Sequence, residues 1–307
     1  MYGHVWVVLG LLAAHPTWGA IALPLLARLY VRQKNLASIA PKHRPAFRTK
    51  LELAVELVRW AKVWLGFLGK PVWVVADGAY ARAALLKPLI GLGVVVVSRL
   101  RKDAALWAVP VARTGRRAPA EVRGEPGVAG EAGGTDARVD DRDVRVVRQA
   151  DREEVQDVRG AIRVVLVDEP RGWVAFFCTD PTATVADILG CVSARFSRET
   201  AFRACKSVVG AGQQQVRFVW ANVGSFHLCL WAFTMTEAWA WCRGEKALVG
   251  HRLASPWDDE PRRPSHADKR RAWRRELPGD EIRAALHPGA SEREIRAAAE
   301  RLLNLAA

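Results

Sequence analysis

Asp77 stands at the carboxyl end of a short apolar run, Pro71-Val72-Trp73-Val74-Val75-Ala76, and is followed by Gly78-Ala79-Tyr80. Open α/β sheets place their ligands at the carboxyl ends of strands, so a carboxylate at this point is a candidate for binding or catalysis. The same residue reads alternatively as the cap of the helix that follows. A second group is the polar series Arg195, Glu199 and Lys206. At about 100° per residue, steps of four and seven return to within roughly 40° and 20° of the starting direction, so one helix face carries all three. Arg198 and Arg203 add charge beside them. The plain alternative is a solvated face with an i, i+4 ion pair. Asp180 precedes Glu199 by 19 residues. As Asp180-Pro181 at a strand-to-helix junction, it reads more simply as a cap with proline in the first turn.

Other chemistries find little support. No G-x-G-x-x-G or G-x-x-x-x-G-K-[ST] accompanies a strand, which argues against a nucleotide fold. The five cysteines (178, 191, 205, 229 and 242) include no C-x-x-C pair, and the seven histidines no H-x-x-x-H. Reduced core thiols in a cytosolic protein fit this better than a disulfide framework or a zinc knuckle.

Strands and helices must position those candidates. Val5–Ala14 and Ala20–Val31 read as two strands joined by a turn at His15-Pro16-Thr17-Trp18-Gly19. Runs of about ten apolar residues, with no cationic start, suit neither an export signal nor a spanning helix. From Arg44 to Gly69, Phe47, Leu51, Ala54, Leu57, Ala61, Trp64 and Leu68 fall on one stripe, the pattern of an amphipathic helix. The run ending at Ala76 suits a strand buried on both faces. Ala81–Leu92 reads as a helix despite Pro88, and Gly93–Val97 as the next strand. This is a βαβ crossover, so the two strands should be parallel. Arg113–Gly134 is rich in Gly, Arg, Glu and Pro and has no periodicity that could build a core. Ala161–Val167 and Trp173–Cys178 read as a hairpin, and Thr184–Val209 as a helix opened by Thr184-x-x-Asp187. Val219–Trp241 is apolar but holds Asn222, His227 and Glu237, which marks a core helix and not a membrane span. A final helix opens on Ser291-x-x-Glu294.

The 307 residues carry 46 Lys and Arg against 32 Asp and Glu, a net charge of +14. Such an excess attracts polyanions, either nucleic acid or an anionic membrane surface. The basic stretch Arg262, Arg263, Lys269, Arg270, Arg271, Arg274 and Arg275 concentrates it near the end of the chain.

The spacing Arg195-x3-Glu199-x6-Lys206 resembles the Y-x2-R-x3-E-x6-K signature of DDE transposases from bacterial insertion sequences, with Val192 where the signature has tyrosine. Val-Val-Ala-Asp77-Gly-Ala-Tyr80 is similar to their second-aspartate motif. A subgroup is resembled at Ser98–Ala104, at Cys178-Thr179-Asp180-Pro181 and at Arg262–Arg270. The resemblance covers nearly the whole chain, with five motifs in order.

It implies an α/β chain with an RNase H-like mixed sheet flanked by helices, an inserted β segment and a helical, basic C-terminal part. The expected divisions are 1–110 for the first half of the core, 111–180 for the insertion, 181–245 for the core helices carrying the glutamate, and 246–307 for the basic tail. It further implies DNA cleavage and strand transfer, with Asp77 and Glu199 among the ligands of Mg²⁺ or Mn²⁺. Hard cations of this kind prefer carboxylate oxygens, and a pair of them suits in-line phosphodiester displacement. Arg195, Lys206, Arg198, Arg203, Arg270 and Arg271 would contact DNA. The implied partner is double-stranded DNA, as element ends and target, with a homodimer on DNA and a cytoplasmic, nucleoid-associated location in a bacterium, away from membranes. No aspartate precedes Asp77. The expectation is therefore a truncated copy that begins after the strand bearing the first aspartate, folds poorly and lacks nicking activity. A DNA-binding remnant and a different RNase H-like nuclease are the alternatives.

Overall fold

A computed structural model describes residues 4–100, 137–139, 142–149, 161–168, 172–250, 262–285, 287 and 289–306. The structureless stretch expected at Arg113–Gly134 lies outside the described residues, as does most of the hairpin turn before Gly172. The chain divides into two compact units, Met1–Leu12 with Leu26–Glu199, and Ala13–Leu25 with Thr200–Ala307.

The first unit is built on a mixed sheet of β3 (Trp73–Ala76), β4 (Val95–Arg99), β5 (Ala137–Val139), β6 (Arg142–Gln149), β7 (Ile162–Val167) and β8 (Val174–Cys178). Their order is β3-β4-β8-β7-β6-β5. Only β3 and β4 run parallel, Trp73 opposite Val95 through Ala76 opposite Ser98, as the crossover requires. The expected hairpin is present as antiparallel β7 and β8.

Side chains alternate across a strand, and here both faces are covered. On one face Val96, Val164, Ala175 and Phe177 pack with Val55 and Val58 of α2 (Lys50–Trp64) and Leu85, Leu86 and Leu89 of α3 (Ala83–Gly91). On the other, Val97, Val165, Val167 and Cys178 meet Val185, Ile188 and Val192 of α4 (Val185–Arg195). Each fully buried leucine or isoleucine in these layers stabilises the unit by about 1.5–3 kcal/mol.

Two expectations need correction. β3 is half-buried along its length, because it lies at the end of the six-strand order and not inside it. The amphipathic helix starts at Lys50 instead of Arg44, because Thr49 and Glu52 form a reciprocal capping box that fixes its first turn. That bond holds the Glu52 carboxyl below the usual carboxylate range.

β1 (Val5–His15) and β2 (Gly19–Tyr30) form a two-stranded sheet of their own, followed by the single-turn α1 (Gln33–Leu36). Among the described residues β1 does not join β3, so direct pairing of those two strands does not occur.

The second unit centres on α6 (Val219–Ala240), with α7 (Glu245–Val249), α8 (His266–Ala285) and α9 (Glu292–Ala306). α6 is a core helix as its polar residues foretold, burying Asn222, His227, Leu230, Phe233, Thr236, Glu237 and Ala240 on one side. No helix among the described residues is long and apolar enough to cross a membrane. The Ser291–Glu294 capping box of α9 forms as expected.

The thiols behave as core groups. Burial pushes Cys178 up to about 11 and Cys205 up to about 12, while Cys242 is exposed. The thiolate is the reactive form. Iodoacetamide at neutral pH should therefore modify Cys242 first and reach Cys178 and Cys205 only on unfolding, as peptide mass mapping would read. Early modification of Cys178 would mean that the sheet face under α4 is open.

Candidate functional site

The alternation that builds the sheet also aims Asp77. Trp73 and Val75 of β3 face α4, and Asp77 continues that series. Beyond it the chain turns through a 3₁₀ segment, Gly78–Tyr80, in which the Tyr80 amide donates to the Asp77 carbonyl at 2.8 Å. A Cβ on Gly78 would sit 3.2 Å from the Arg99 carbonyl oxygen, so the small residue lets this turn approach the end of β4. The capping alternative for Asp77 does not hold. It occupies the cap position of the turn, yet its side chain makes no capping hydrogen bond.

The Asp77 carboxylate instead faces Arg195, Nη1 to Oδ2 at 3.7 Å, with side-chain exposures of 55% and 18%. At that length the contact is an ion pair and not a hydrogen bond, and so exposed a pair contributes no more than about 1 kcal/mol. Arg195, the first residue of the polar series, is thus brought to the end of β3.

The helix itself departs from the uniform one expected over Thr184–Val209. It opens on the anticipated capping box, Thr184 with Asp187, which lowers the Asp187 carboxyl through the Thr184 hydrogen bonds. It then divides into α4, α5 (Ser197–Ala204) and a π turn, Cys205–Val209. At the junction the amides of Phe196 and Glu199 donate three residues back, to Ser193 at 3.1 Å and Phe196 at 3.0 Å, and the Ser197 hydroxyl donates to the Ala194 carbonyl. The four-residue step from Arg195 to Glu199 spans this tightened turn. Lys206 lies on the π turn, in the second unit, so the seven-residue step assumed for a regular helix does not describe it.

Glu199, Arg203 and Lys206 are exposed, and Arg198 is half-buried. Val192 is in the core under the sheet, so its position offers the site no polar group. Asp180 accepts hydrogen bonds from the Thr182 amide at 2.9 Å and hydroxyl at 2.7 Å. It therefore closes a local turn, and Thr184 and not Asp180 caps the helix. Of the basic C-terminal residues, Arg271 is exposed, whereas Arg270 donates to the Val208 carbonyl. Lys269 is buried against Glu237.

Among the described residues no group of three or more His, Cys, Asp or Glu could hold a metal. Mg²⁺ is commonly bound through one or two carboxylates, with waters and substrate phosphates completing the shell. Asp77 and Glu199 suit one such ion by chemistry and fall short of a pair of ions.

Two features escaped the sequence. Tyr80 follows Asp77 by a single 3₁₀ turn, and its phenol is raised by burial, with Arg198 opposing and Asp77 reinforcing the shift. The strand-end position of Asp77 was its only signal. In the second unit, Glu237 accepts from His266 Nδ1 at 2.8 Å and from Lys269 Nζ at 2.5 Å, all three being buried. A lone carboxylate in an otherwise uncharged helix was the clue that partners had to exist.

Among known proteins, the family described as Transposase DDE domain has a model that matches residues 34–235, about two-thirds of the chain and a span that contains Asp77, Arg195, Glu199 and Lys206. No curated protein matches the chain.

Proposed function

The chain belongs to the transposase DDE domain family, and from that premise we propose that the end of β3 with α4 and α5 is the DNA-cleavage and strand-transfer centre of an insertion-sequence transposase. The observation that carries this reading is the 3.7 Å approach of Arg195 to Asp77, which joins the two motifs separated by more than a hundred residues. The mixed sheet is read as RNase H-like.

In this reading Asp77 and Glu199 hold one divalent ion, Mg²⁺ or Mn²⁺. When bound, such an ion polarises a phosphate oxygen and stabilises charge developing on it. Arg195 neutralises Asp77 while no ion is there and is placed to hold a non-bridging phosphate oxygen once the ion takes over the carboxylate. Arg198 stands one turn on, and Arg203, Lys206, Arg270 and Arg271 contact the DNA backbone. Phosphate contacts of this kind set position and register, not sequence.

A second reading, DNA binding without cutting, is favoured by the absence of a three-ligand metal group among the described residues. One pair of assays separates the two. In a gel-shift titration, affinity for a plain duplex should fall on the order of 10³-fold between 50 and 200 mM salt if six or more phosphates are neutralised. A flat response would remove the electrostatic basis of both readings. With Mg²⁺ and supercoiled plasmid, a cleavage centre should nick, whereas binding without nicking would favour the second reading. Nicking that disappears in Asp77→Asn would show that a third carboxylate joins the centre, Asp180 being the first to test.

A further inference from the structure

Packing within the second unit leaves one side of α6 without a partner. Of its 22 residues only Glu237 is charged, and that carboxylate is buried. A helix that offers no charged face to water belongs inside a protein, yet only half of α6 is inside. Asn222, Leu230, Phe233, Glu237 and Ala240 face the core of the unit. The opposite side exposes Trp220 (55%), Leu228 (64%), Trp231 (46%) and Met235 (58%), with Gly224 exposed among them. At about 100° per residue, the steps from Trp220 to the other four stay within a sector of roughly 80°. The five residues therefore form one stripe without a charged group, and contiguous exposed apolar surface of this kind marks an interaction site.

The order of side chains along the stripe says what covers it. When two copies run in opposite directions about a point beside Leu228, Trp220 meets Met235, Gly224 meets Trp231, and Leu228 meets its own copy. Gly224 is a hole, since a Cβ placed on it would have nothing within 4 Å. Trp231 is the matching knob, its indole fixed at one edge by the hydrogen bond that Nε1 donates to the Leu25 carbonyl at 2.9 Å. Large opposite small in both halves is the self-complementarity that a two-fold interface requires, where residue i meets j and j meets i. The glycine also lets the facing helix approach closely. The net charge of +14 opposes association in general, but the stripe brings none of it to the contact.

We propose that α6 pairs with α6 of a second copy of this chain, antiparallel and about a two-fold axis at Leu228, with Trp231 of each copy seated over Gly224 of the other. No DNA takes part, so the pairing is independent of the centre around Asp77. A single helix face buries less than the roughly 800 Å² per partner of a standard interface, so the dimer is a weak and reversible one, half formed at roughly tens of micromolar.

Sedimentation equilibrium of the full chain tests this, from about 5 to about 200 µM in about 0.5 M NaCl, which screens the net charge. The average mass should climb from one chain toward two across that range. Gly224→Leu fills the hole without touching the monomer and adds helix propensity. Its melting temperature should therefore equal or exceed that of the parent, while dimerisation weakens at least tenfold. Leu228→Glu places two like charges on the axis and should weaken dimerisation as much. In a Cys242→Ser background, Leu228→Cys should join two chains by a disulfide under mild oxidation, and the background alone should not. A parent that stays a single chain at the highest concentration overturns the inference, and so does a dimer that survives Gly224→Leu and Leu228→Glu. A single chain whose Leu228→Cys thiol also resists maleimide would place a segment of the same chain on the stripe, and that too overturns it.

Discussion

Lys269→Met will cost the second unit about 3–5 kcal/mol of stability, the loss expected when one partner of a buried ion pair is removed and the other charge stays behind. At about 4 °C per kcal/mol, the melting temperature should fall by roughly 10–20 °C. Lys269 and Glu237 are each almost fully buried, Nζ lies 2.5 Å from Oε2, and His266 Nδ1 takes the other carboxylate oxygen. Around them, Lys269 sits 4.3 Å over the Trp18 ring and His266 stacks on Phe233, so neither side chain can swing out to water without opening the core. Replacing both partners, as in Glu237→Leu with Lys269→Met, removes both charges and should return much of the lost stability. A single Lys269→Met within 0.5 kcal/mol of the parent would mean that water reaches the pair.

The same carboxylate gives the pH dependence. Burial pushes Glu237 up, but the His266 hydrogen bond and the Lys269 charge outweigh it and hold its carboxyl below the usual carboxylate range. A depressed carboxylate contributes stability in full above its unfolded value and loses it as pH falls through the folded one. The stability difference between the parent and Glu237→Gln should therefore be level above about pH 5 and shrink below about pH 4. Urea melts across that window would show it, and a difference that grew toward acid would reverse the sign assigned here.

Local signals were legible, and tertiary ones were not. Two of the capping boxes, Thr184–Asp187 and Ser291–Glu294, could be read from sequence because both partners lie within one turn. The apolar runs of β4, β7 and β8 were equally plain, since both faces of each strand are covered. The half-buried state of β3 was not, because a run of apolar residues carries no sign of whether a neighbour pairs on its far side. The π turn at Cys205–Val209 interrupts a regular pattern without a Gly or Pro to announce it. At the site, Asp77, Arg195 and Glu199 were named from type and spacing. Tyr80 was quoted only within the motif around Asp77, because nothing in its type or spacing announced that burial would raise its phenol. Glu237 could be seen to need partners, but His266 and Lys269 lie 29 and 32 positions away, on another helix.

The second large effect concerns the ion. A divalent cation held by two carboxylates loses most of its binding when either is made neutral and amide, so Asp77→Asn and Glu199→Gln should each weaken Mn²⁺ binding tenfold or more, which is about 1.4 kcal/mol or greater. Arg195 pairs with Asp77, so in the proposed centre it would compete with the ion. Arg195→Gln should therefore strengthen Mn²⁺ binding in the absence of DNA, an effect that general misfolding cannot produce. Electron paramagnetic resonance of free Mn²⁺, titrated with the parent chain and these three variants, measures this directly. The predicted result is one ion per parent chain, lost with Asp77→Asn and with Glu199→Gln and tightened by Arg195→Gln. One Mn²⁺ bound equally well by the parent, Asp77→Asn and Glu199→Gln would contradict the assignment of the end of β3 as the metal centre.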